Sequence, residues 1–281
     1  MRKEIIARFP SNFERYIEVF GGAAWVLFNK KPTPFEVYND TNLDLVNLFR
    51  AVREQPDQLI DHLRFIINAK IDFDFVINLI KEPIKEPVEK GDVVRAAHFY
   101  QIIKQSYGSN GKSFGCIPNN IWNSFPIIYQ AAKRLQSVII EYRDFEKLIG
   151  KYDRPESFFY CDPPYFGTEN YYRNVEFTAE DHERLAHCLA GVEGKFLLSY
   201  NAAPEIIDLY KQIPGTYIES LTRLNSLLLR YEQGAVYEEI LISNFDTTRN
   251  KNQMSLWESD DIEAELRTER SFIWKPPKES K

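Results

Sequence analysis

The chain has 281 residues, 44% of them hydrophobic and 14% aromatic, which is enough for one large or two modest domains with a sizeable core. A net charge of −6 argues against a uniformly basic nucleic-acid-binding protein. Cys116, Cys161 and Cys188 have no CxxC spacing, which predicts a reduced protein without a zinc site. Met1 to Pro10 has no apolar signal-peptide core, and no stretch of the sequence is apolar enough to span a membrane.

A strand followed by a glycine turn predicts a ligand site near the start of the chain. After a short predicted helix from Glu4 to Arg8, Tyr16 to Phe20 reads as a strand. Gly21 to Ala24 are small, and Trp25 to Asn29 reads as a helix. A tight turn of small residues between strand and helix lets the backbone approach a ligand. An ordinary glycine turn would give the same pattern.

The second predicted strand, Phe35 to Tyr38, closes on Asn39 and Asp40. An acidic residue about 20 positions after the glycine turn is where nucleoside-binding βαβ units hold the ribose hydroxyls. Asp40 is therefore the candidate ribose ligand. Alternatively, Asp40 or Thr41 caps the predicted helix from Leu43 to Arg53, and both roles are compatible.

The stretch from Val93 to Ile140 differs from the rest of the acidic chain, because it contains no Asp or Glu. Basic and aromatic side chains alternate in it, and its centre, Ser106 to Asn120, has the composition of a loop. Basic groups bind phosphates, and short polar side chains reach base edges. We predict a nucleic-acid-binding surface whose candidate contacts are Lys104, Asn110, Lys112, Asn119 and Arg134. The alternative is a helical subdomain whose aromatic residues form a core.

The most informative stretch is a buried aromatic strand that runs into Asp162-Pro163-Pro164-Tyr165. Two prolines prevent a ladder or a helix from continuing, so Asp162 lies at a strand end, where open α/β sheets bind ligands. The carboxylate of Asp162 and the carbonyl of Pro163 can both accept hydrogen bonds from one NH2 group, and Tyr165 can stack on a ring. This set suits a planar base with an amino group, whereas the plain alternative is a Pro-Pro turn.

The remaining patterns predict further strands and helices. A strand from Ser137 to Tyr142 precedes Asp144 and Phe145, which could grip an adenine ring, although a surface aspartate fits as well. The later predicted elements are a helix from Thr178 to Leu189 capped by Thr178, a strand from Lys195 to Ser199, a helix from Pro204, and strands Tyr217 to Ser220, Leu227 to Tyr231 and Glu238 to Ser243. Strands that alternate with helices and end in a hairpin-like pair predict an α/β sheet with an antiparallel edge.

Together these residues resemble the Dam-like adenine-specific DNA methyltransferases, including their phage and prophage relatives. The matching segments occur in that family's order, over about Ile5 to Phe245, and are Glu18 to Ala24, Val37 to Asp40, Tyr160 to Tyr165 and Leu198 to Asn201. The resemblance implies a Rossmann-like S-adenosylmethionine-dependent methyltransferase sheet with an antiparallel edge hairpin and a mainly helical target-recognition insertion. Residues 1–53 and 135–249 would form the catalytic domain, 54–134 the insertion, and 250–281 a peripheral tail.

The resemblance also implies an activity, which is methyl transfer from S-adenosylmethionine to the N6 amino group of a flipped adenine in duplex DNA, with S-adenosylhomocysteine as product. The implied cofactor contacts are Glu18, Phe20, Gly21, Gly22, Asp40 at the ribose, Asp144 and Phe145 at the adenine, and Asp162. Asp162, Pro163, Pro164 and Tyr165 would hold the target base. The family's usual Gly-Gly-Lys element ahead of the first helix is absent from Met1-Arg2-Lys3, so either it is lost or Lys3 substitutes for it.

We expect double-stranded DNA as partner, no metal, no membrane association, a monomer or weak dimer, and a bacterial or phage-infected cytoplasm. One rival is a methyltransferase acting on cytosine N4, RNA adenine or protein glutamine. Asp rather than Asn at position 162, together with the motif order, favours adenine in DNA. The other rival is a DNA-binding protein on a decayed methyltransferase fold.

Overall fold

The structure is a computed structural model that describes residues 2–86, 91–109, 111–116, 120–168, 177–224, 236–249 and 271–275. Its helices are α1 (Arg2–Ile6), α2 (Trp25–Asn29), α3 (Leu43–Glu54), α4 (Pro56–Leu63), α5 (Lys70–Leu79), α6 (Val93–Gln105), α7 (Phe125–Leu135), α8 (Phe145–Tyr152), α9 (Ala179–Ala190) and α10 (Pro204–Lys211). Its strands are β1 (Arg15–Glu18), β2 (Phe35–Asn39), β3 (Val138–Glu141), β4 (Ser157–Cys161), β5 (Lys195–Asn201), β6 (Tyr217–Leu224), β7 (Val236–Ser243) and β8 (Ser271–Trp274). None of the helices in these ranges has the length and apolar character needed to cross a membrane.

The strands form one sheet of eight in the order β3-β2-β1-β4-β5-β7-β6-β8. The first five are parallel, and β7, β6 and β8 pair antiparallel beyond β5. The chain runs outward from β1 to β2 and β3, and then returns to place β4 on the other side of β1. The order therefore reverses between β1 and β4, and this reversal opens a crevice at the carboxyl ends of the strands.

Alternate residues of the central strands face two different cores. Tyr16, Phe158 and Tyr160 pack on the side covered by α1 to α7. Ile17 and Phe159 pack on the side covered by α8, α9 and α10. Because both faces of the sheet are buried, the central strands β4 and β5 read as largely apolar runs rather than as an alternation of polar and apolar residues.

Helix α6 is joined to α3 through polar contacts as well as through the core. The Asp44 carboxylate on α3 accepts a hydrogen bond from Arg95 Nε on α6 at 2.6 Å. Asn47 on α3 exchanges two hydrogen bonds with the backbone of Asp92, at 2.9 and 2.8 Å, just before α6 begins. These contacts hold the start of α6 against α3.

A buried ion cluster joins α2, β2 and α7. The carboxylate of Glu36 on β2 is 1% exposed and accepts hydrogen bonds from Lys30 and Arg134. Arg134 also donates to the carbonyl of Leu27 at 3.2 Å. Burial lowers the pKa of Lys30 to about 8. Burial alone would raise the pKa of Glu36, but the hydrogen bonds from Arg134 and Lys30 outweigh it and lower that pKa.

Helix α3 is not capped as the sequence suggested. The cap is Asn42, whose side chain accepts hydrogen bonds from the N–H groups of Asp44 at 3.0 Å and Leu45 at 3.4 Å. Asp40 lies two residues earlier and bonds to the glycine turn instead. The predicted Thr178 cap of α9 is confirmed, since Thr178 and Asp181 form a capping box.

Two of the later predictions need comment. Ser271–Trp274 lies in the predicted peripheral tail but forms β8, which pairs with β6 at the edge of the sheet. The sequence analysis predicted no strand here, because the pairing partner is about 50 positions away and no local pattern reveals it. The predicted strand from Leu227 to Tyr231 lies outside the described residues.

The ion cluster generates a stability prediction. We expect Glu36→Ala to lower the free energy of unfolding by ~3–5 kcal/mol, because it leaves the charges of Lys30 and Arg134 buried without a carboxylate. Urea denaturation followed by circular dichroism measures this change. The matched control is Glu54→Ala, which removes a partly exposed ion pair with Arg53 and should cost no more than ~1 kcal/mol. Equal losses in the two variants would contradict a structural role for the cluster.

Candidate active site at the carboxyl edge of the sheet

The turn after β1 closes tightly on β2. A β-carbon at Gly21 would lie 2.2 Å from the ring of Tyr38, so only glycine fits there. The N–H of Gly21 donates to the carbonyl of Asn39 at 2.7 Å, and the hydroxyl of Tyr38 donates to the carbonyl of Gly22 at 2.8 Å. Gly22 has a φ of +49°, and a β-carbon there would meet nothing within 4 Å. Gly22 therefore leaves an open space beside the turn.

Asp40 links the glycine turn to the start of α3. Its carboxylate accepts hydrogen bonds from the N–H of Gly22 at 2.8 Å and from the N–H of Asn42 at 2.7 Å. Burial raises the pKa of Asp40, and these N–H groups oppose that shift. Asp40 thus follows β2 at the edge of the crevice, next to the turn that follows β1.

Asn39 connects three strand ends, a role that the sequence analysis did not assign. Its side-chain amide donates to the carbonyl of Val19 at 2.9 Å and to the carbonyl of Arg143 at 3.0 Å. Its side-chain oxygen accepts from the N–H of Arg143 at 2.8 Å. Its sequence signal was limited to an amide side chain at the end of a predicted strand, just before Asp40. Asn39 positions the loop after β3 beside the turn after β1.

Two predicted cofactor residues from distant parts of the chain come together in an aromatic cluster. The ring centroid of Phe20 lies 5.7 Å from that of Phe145 and 5.8 Å from that of Phe177. The guanidinium of Arg184 lies 4.7 Å above the Phe145 ring. Asp144 caps α8 through the N–H of Glu146 at 3.1 Å and pairs with Arg184 at 3.2 Å. Its carboxylate is therefore already bonded within the protein.

Glu18 and Asp162 lie at the ends of adjacent strands, and both have raised pKa values. Glu18 is 2% exposed, and its carboxylate accepts a hydrogen bond from the hydroxyl of Tyr16 at 2.7 Å. Burial raises the pKa of Glu18 to about 8, and the charge of Asp162 adds to this shift. The surrounding protein raises the pKa of Asp162 to about 7 by desolvation, and a hydrogen bond from Tyr165 opposes the shift.

Asp162 retains solvent contact despite this desolvation. The residue is exposed by surface area, while protein atoms surround its carboxylate on the crevice floor. Water in an open crevice offsets part of the desolvation.

A third carboxylate, that of Glu239, also affects the pKa of Asp162. Glu239 on β7 is buried, lies opposite Asn201 in the register of β5 and β7, and its charge further raises the pKa of Asp162. The sequence analysis missed Glu239, because its proximity to Asp162 depends on the strand order. Asp162 therefore interacts with two other carboxyl groups, Glu18 and Glu239.

The backbone after Asp162 is held from β5. Pro163 and Pro164 are buried, and the carbonyl of Phe166 accepts a hydrogen bond from the side-chain amide of Asn201 at 3.1 Å. The carbonyl of Tyr165 accepts from the N–H of Thr168 at 2.9 Å. These contacts give Tyr165 a fixed position next to Asp162.

The predicted DNA contacts fall into three groups. Lys104 is exposed near the end of α6, and Lys112 is exposed in the loop that follows. This loop is closed like a hairpin by hydrogen bonds from the N–H of Tyr107 to the Ser113 carbonyl at 2.8 Å and from the N–H of Gly115 to the Gln105 carbonyl at 2.7 Å. Arg134 belongs to the ion cluster with Glu36. Asn110 and Asn119 lie outside the described residues.

Lys3 is exposed on α1, next to the first residue of α2. The guanidinium of its neighbour Arg2 lies 4.8 Å from the ring of Trp25. Because α2 starts directly after the glycine turn, this contact sets α1 beside the mouth of the crevice.

Comparison with known proteins finds relatives that match most of this chain. The type II methyltransferase M1.LlaDCHI of Lactococcus lactis subsp. cremoris is 26% identical over 263 residues, covering 84% of this chain and 88% of that protein. The type II methyltransferase M.CviBI of Paramecium bursaria Chlorella virus NC1A is 26% identical over 238 residues, covering 82% and 88%. The Retron Ec67 DNA adenine methylase of Escherichia coli is 24% identical over 217 residues, covering 73% and 75%.

A family model described as D12 class N6 adenine-specific DNA methyltransferase matches residues 1–226. The match spans the glycine turn, Asp40 and the Asp-Pro-Pro-Tyr segment, which are the parts that meet in the crevice. This chain therefore belongs to the D12 class of N6 adenine-specific DNA methyltransferases.

Proposed function

We propose that the crevice at the carboxyl ends of β1, β2 and β4 binds S-adenosylmethionine and the target adenine side by side. The observation that carries this proposal is the convergence of Gly22, Asp40 and Asp162 from three strands at the reversal of strand order. The glycine turn, the ribose ligand Asp40 and the base ligand Asp162 then belong to one site.

The residues present fit the cofactor. Gly21 and Gly22 expose backbone where side chains would close the crevice, and Asp40 is the ribose ligand. S-adenosylmethionine, when bound, supplies a methyl group on a positively charged sulfonium that is already activated for transfer. Burial raises the pKa values of Glu18 and Asp162, and both carboxyl groups would ionise more readily beside such a cation.

In this proposal, different residues bind the adenine end and the methionine end of the cofactor. Phe20 and Phe145 form the aromatic face for the cofactor adenine, and Asp144 holds its amino group after exchanging part of its contact with Arg184. Lys3 takes the methionine end. No metal takes part in this scheme.

The target base is held by the segment from Asp162 to Tyr165. The carboxylate of Asp162 and the carbonyl of Pro163 accept hydrogen bonds from the two N6 hydrogens, which makes the amino nitrogen more tetrahedral and more nucleophilic. Flipping the base out of the duplex costs a few kcal/mol, and stacking on Tyr165 returns about 1–3 kcal/mol. The stiff Pro163-Pro164 backbone keeps both acceptors aligned with the methyl group.

The helices of residues 54–134 act as the target-recognition insertion, and Lys104 and Lys112 contact DNA phosphates. Arg134 is excluded from this set, because its guanidinium is bonded to Glu36. Asn110 and Asn119 are the candidates for contacts to base edges. The enzyme works as a monomer or weak dimer in the cytoplasm of a bacterium or of a phage-infected host.

We expect Asp162→Ala to reduce methyl transfer at least ~100-fold, as does the loss of a charged contact at a reacting group. The measurement is transfer of labelled methyl groups to DNA, with binding of S-adenosylhomocysteine by calorimetry as the check on folding. Asp208→Ala, which changes an exposed carboxylate on α10, is the control and should behave like the wild type. Near-normal turnover of Asp162→Ala would remove Asp162 from catalysis.

The wild-type enzyme should depend on pH through the same carboxylate. The pKa of Asp162 is raised to about 7, so the free enzyme binds a proton there as pH falls through that value and loses an acceptor for the amino group. We expect kcat/KM to fall below about pH 7. A profile that stays flat down to pH 5 would show that Asp162 ionises like an ordinary aspartate.

We expect Asp40→Ala to weaken S-adenosylmethionine binding by ~1–3 kcal/mol, because a charge-assisted contact to the ribose is lost. Calorimetric titration measures the effect. Asn42→Ala is the matched control, since it removes the α3 cap and should lower thermal stability by ~1 kcal/mol without changing affinity. If both variants bind the cofactor like the wild type, Asp40 is not a ribose ligand.

We expect the double variant Lys104→Ala, Lys112→Ala to weaken binding to duplexes of any sequence. Each lost phosphate contact should reduce the slope of log affinity against log salt by ~0.9. The control is Lys147→Ala with Lys211→Ala, on α8 and α10 at the other face of the sheet. Fluorescence anisotropy of labelled duplexes over a salt series provides the slopes. An unchanged slope in the first double variant would place the DNA elsewhere.

A further inference from the structure

A buried histidine lies behind the proposed base-binding segment and has no part in the scheme above. His182 on α9 is 2% exposed, and its Nδ1 forms a hydrogen bond with the hydroxyl of Tyr200 on β5. Its ring lies edge-on against Phe166 at 5.4 Å and against Phe177 at 4.9 Å between centroids. The imidazole is therefore held by a polar contact and by two aromatic neighbours.

From Tyr200 the contacts continue to the catalytic carboxylate. The ring of Tyr200 lies 6.1 Å from the ring of Tyr165, at an interplanar angle of 42°. The side chain of Tyr165 in turn forms a hydrogen bond with Asp162. His182, Tyr200, Tyr165 and Asp162 thus form one connected chain from the interior of α9 to the crevice.

We propose that His182 is a positioning residue for methyl transfer, which through Tyr200 holds the ring of Tyr165 where the target base stacks. This inference rests on the proposed function, in which Tyr165 and Asp162 take the base. Tyr165 lies after two prolines in a turn whose backbone is held by Asn201 at Phe166. The backbone is thereby fixed, and the Tyr165 side chain is held by its hydrogen bond with Asp162 and by the neighbouring ring of Tyr200.

The hydrogen bond between His182 and Tyr200 determines how the Tyr200 ring is oriented. Tyr200 is completely buried, and a phenol ring without a hydroxyl partner could rotate within an apolar pocket. A hydrogen bond to His182 fixes the hydroxyl, and with it the plane that Tyr165 meets. A displacement of about 1 Å at a reacting group can cost up to ~100-fold in rate, so a modest tilt is enough to affect turnover.

The test compares variants that remove the bond from either side. Tyr200→Phe deletes only the hydroxyl, His182→Leu deletes the imidazole, and His182→Asn keeps a polar atom near the place of Nδ1. The DNA is a duplex that contains the methylation site of this enzyme, as found by sequencing modified bases in cells expressing the wild type. Single-turnover transfer at saturating DNA and cofactor reports the step after binding.

We expect Tyr200→Phe and His182→Leu each to lower the single-turnover rate about tenfold, and the double variant to lose no more than either alone. His182→Asn should recover most of the rate. The dissociation constants for S-adenosylhomocysteine and for the duplex should stay within about twofold of the wild type, because positioning acts after binding.

Two results would overturn the proposal. The first is a wild-type rate in Tyr200→Phe. The second is a loss in all three variants, His182→Asn included, in parallel with thermal stability and cofactor binding, which marks His182 as a packing residue. Asp162→Ala separates this inference from the proposed function. If that variant turns over normally, the base site is wrong, whereas an inactive Asp162→Ala beside a fully active Tyr200→Phe removes only the positioning role.

Discussion

The missing side chain of Gly21 is the constraint on which the site depends. Because the ring of Tyr38 occupies the space where a β-carbon would lie, the turn after β1 can lie flat against the end of β2. This approach brings the N–H of Gly22 to the Asp40 carboxylate and the Tyr38 hydroxyl to the Gly22 carbonyl. A bulkier residue would push the turn away from β2, and the contact between the two strand ends would be lost. The crevice therefore owes its shape to backbone approach.

The electrostatics of the crevice follow from the same geometry. Glu18, Asp162 and Glu239 come from neighbouring parts of the sheet: the charge of Asp162 adds to the raised pKa of Glu18, and the charge of Glu239 adds to the raised pKa of Asp162. Their mutual repulsion is a cost in the free protein that a sulfonium cation would offset. In the proposed reaction the sulfonium loses its charge when the methyl group leaves. The attraction between the carboxyl groups and the sulfonium is then lost as well, which favours release of the product S-adenosylhomocysteine.

The basic residues between β2 and β3 include structural ones as well as candidates for contact with DNA. The absence of acids from Val93 to Ile140 suggested a cationic surface, yet Arg95 pairs with Asp44 and Arg134 pairs with Glu36. The acidic partners lie in α3 and β2, outside the segment. Part of the excess positive charge thus attaches these helices to the sheet, and Lys104 and Lys112 remain as candidates for DNA. A rigid attachment would keep the proposed DNA-binding surface at a fixed distance from the crevice.

Local sequence was sufficient wherever sterics within a few residues decide the outcome. The two prolines end β4 at Cys161, α2 begins and ends as predicted, and Thr178 caps α9, because each depends on neighbouring backbone atoms. The order of the motifs was likewise enough to indicate the family. Tertiary structure alone decided which strands are neighbours, and hence that Glu239 lies near Asp162 and that β8 joins β6. It also decided that Asn39 ties three strand ends and that His182 reaches Tyr200. These contacts join residues that are far apart in the chain, and periodicity and spacing describe only neighbours, so no local pattern could reveal them.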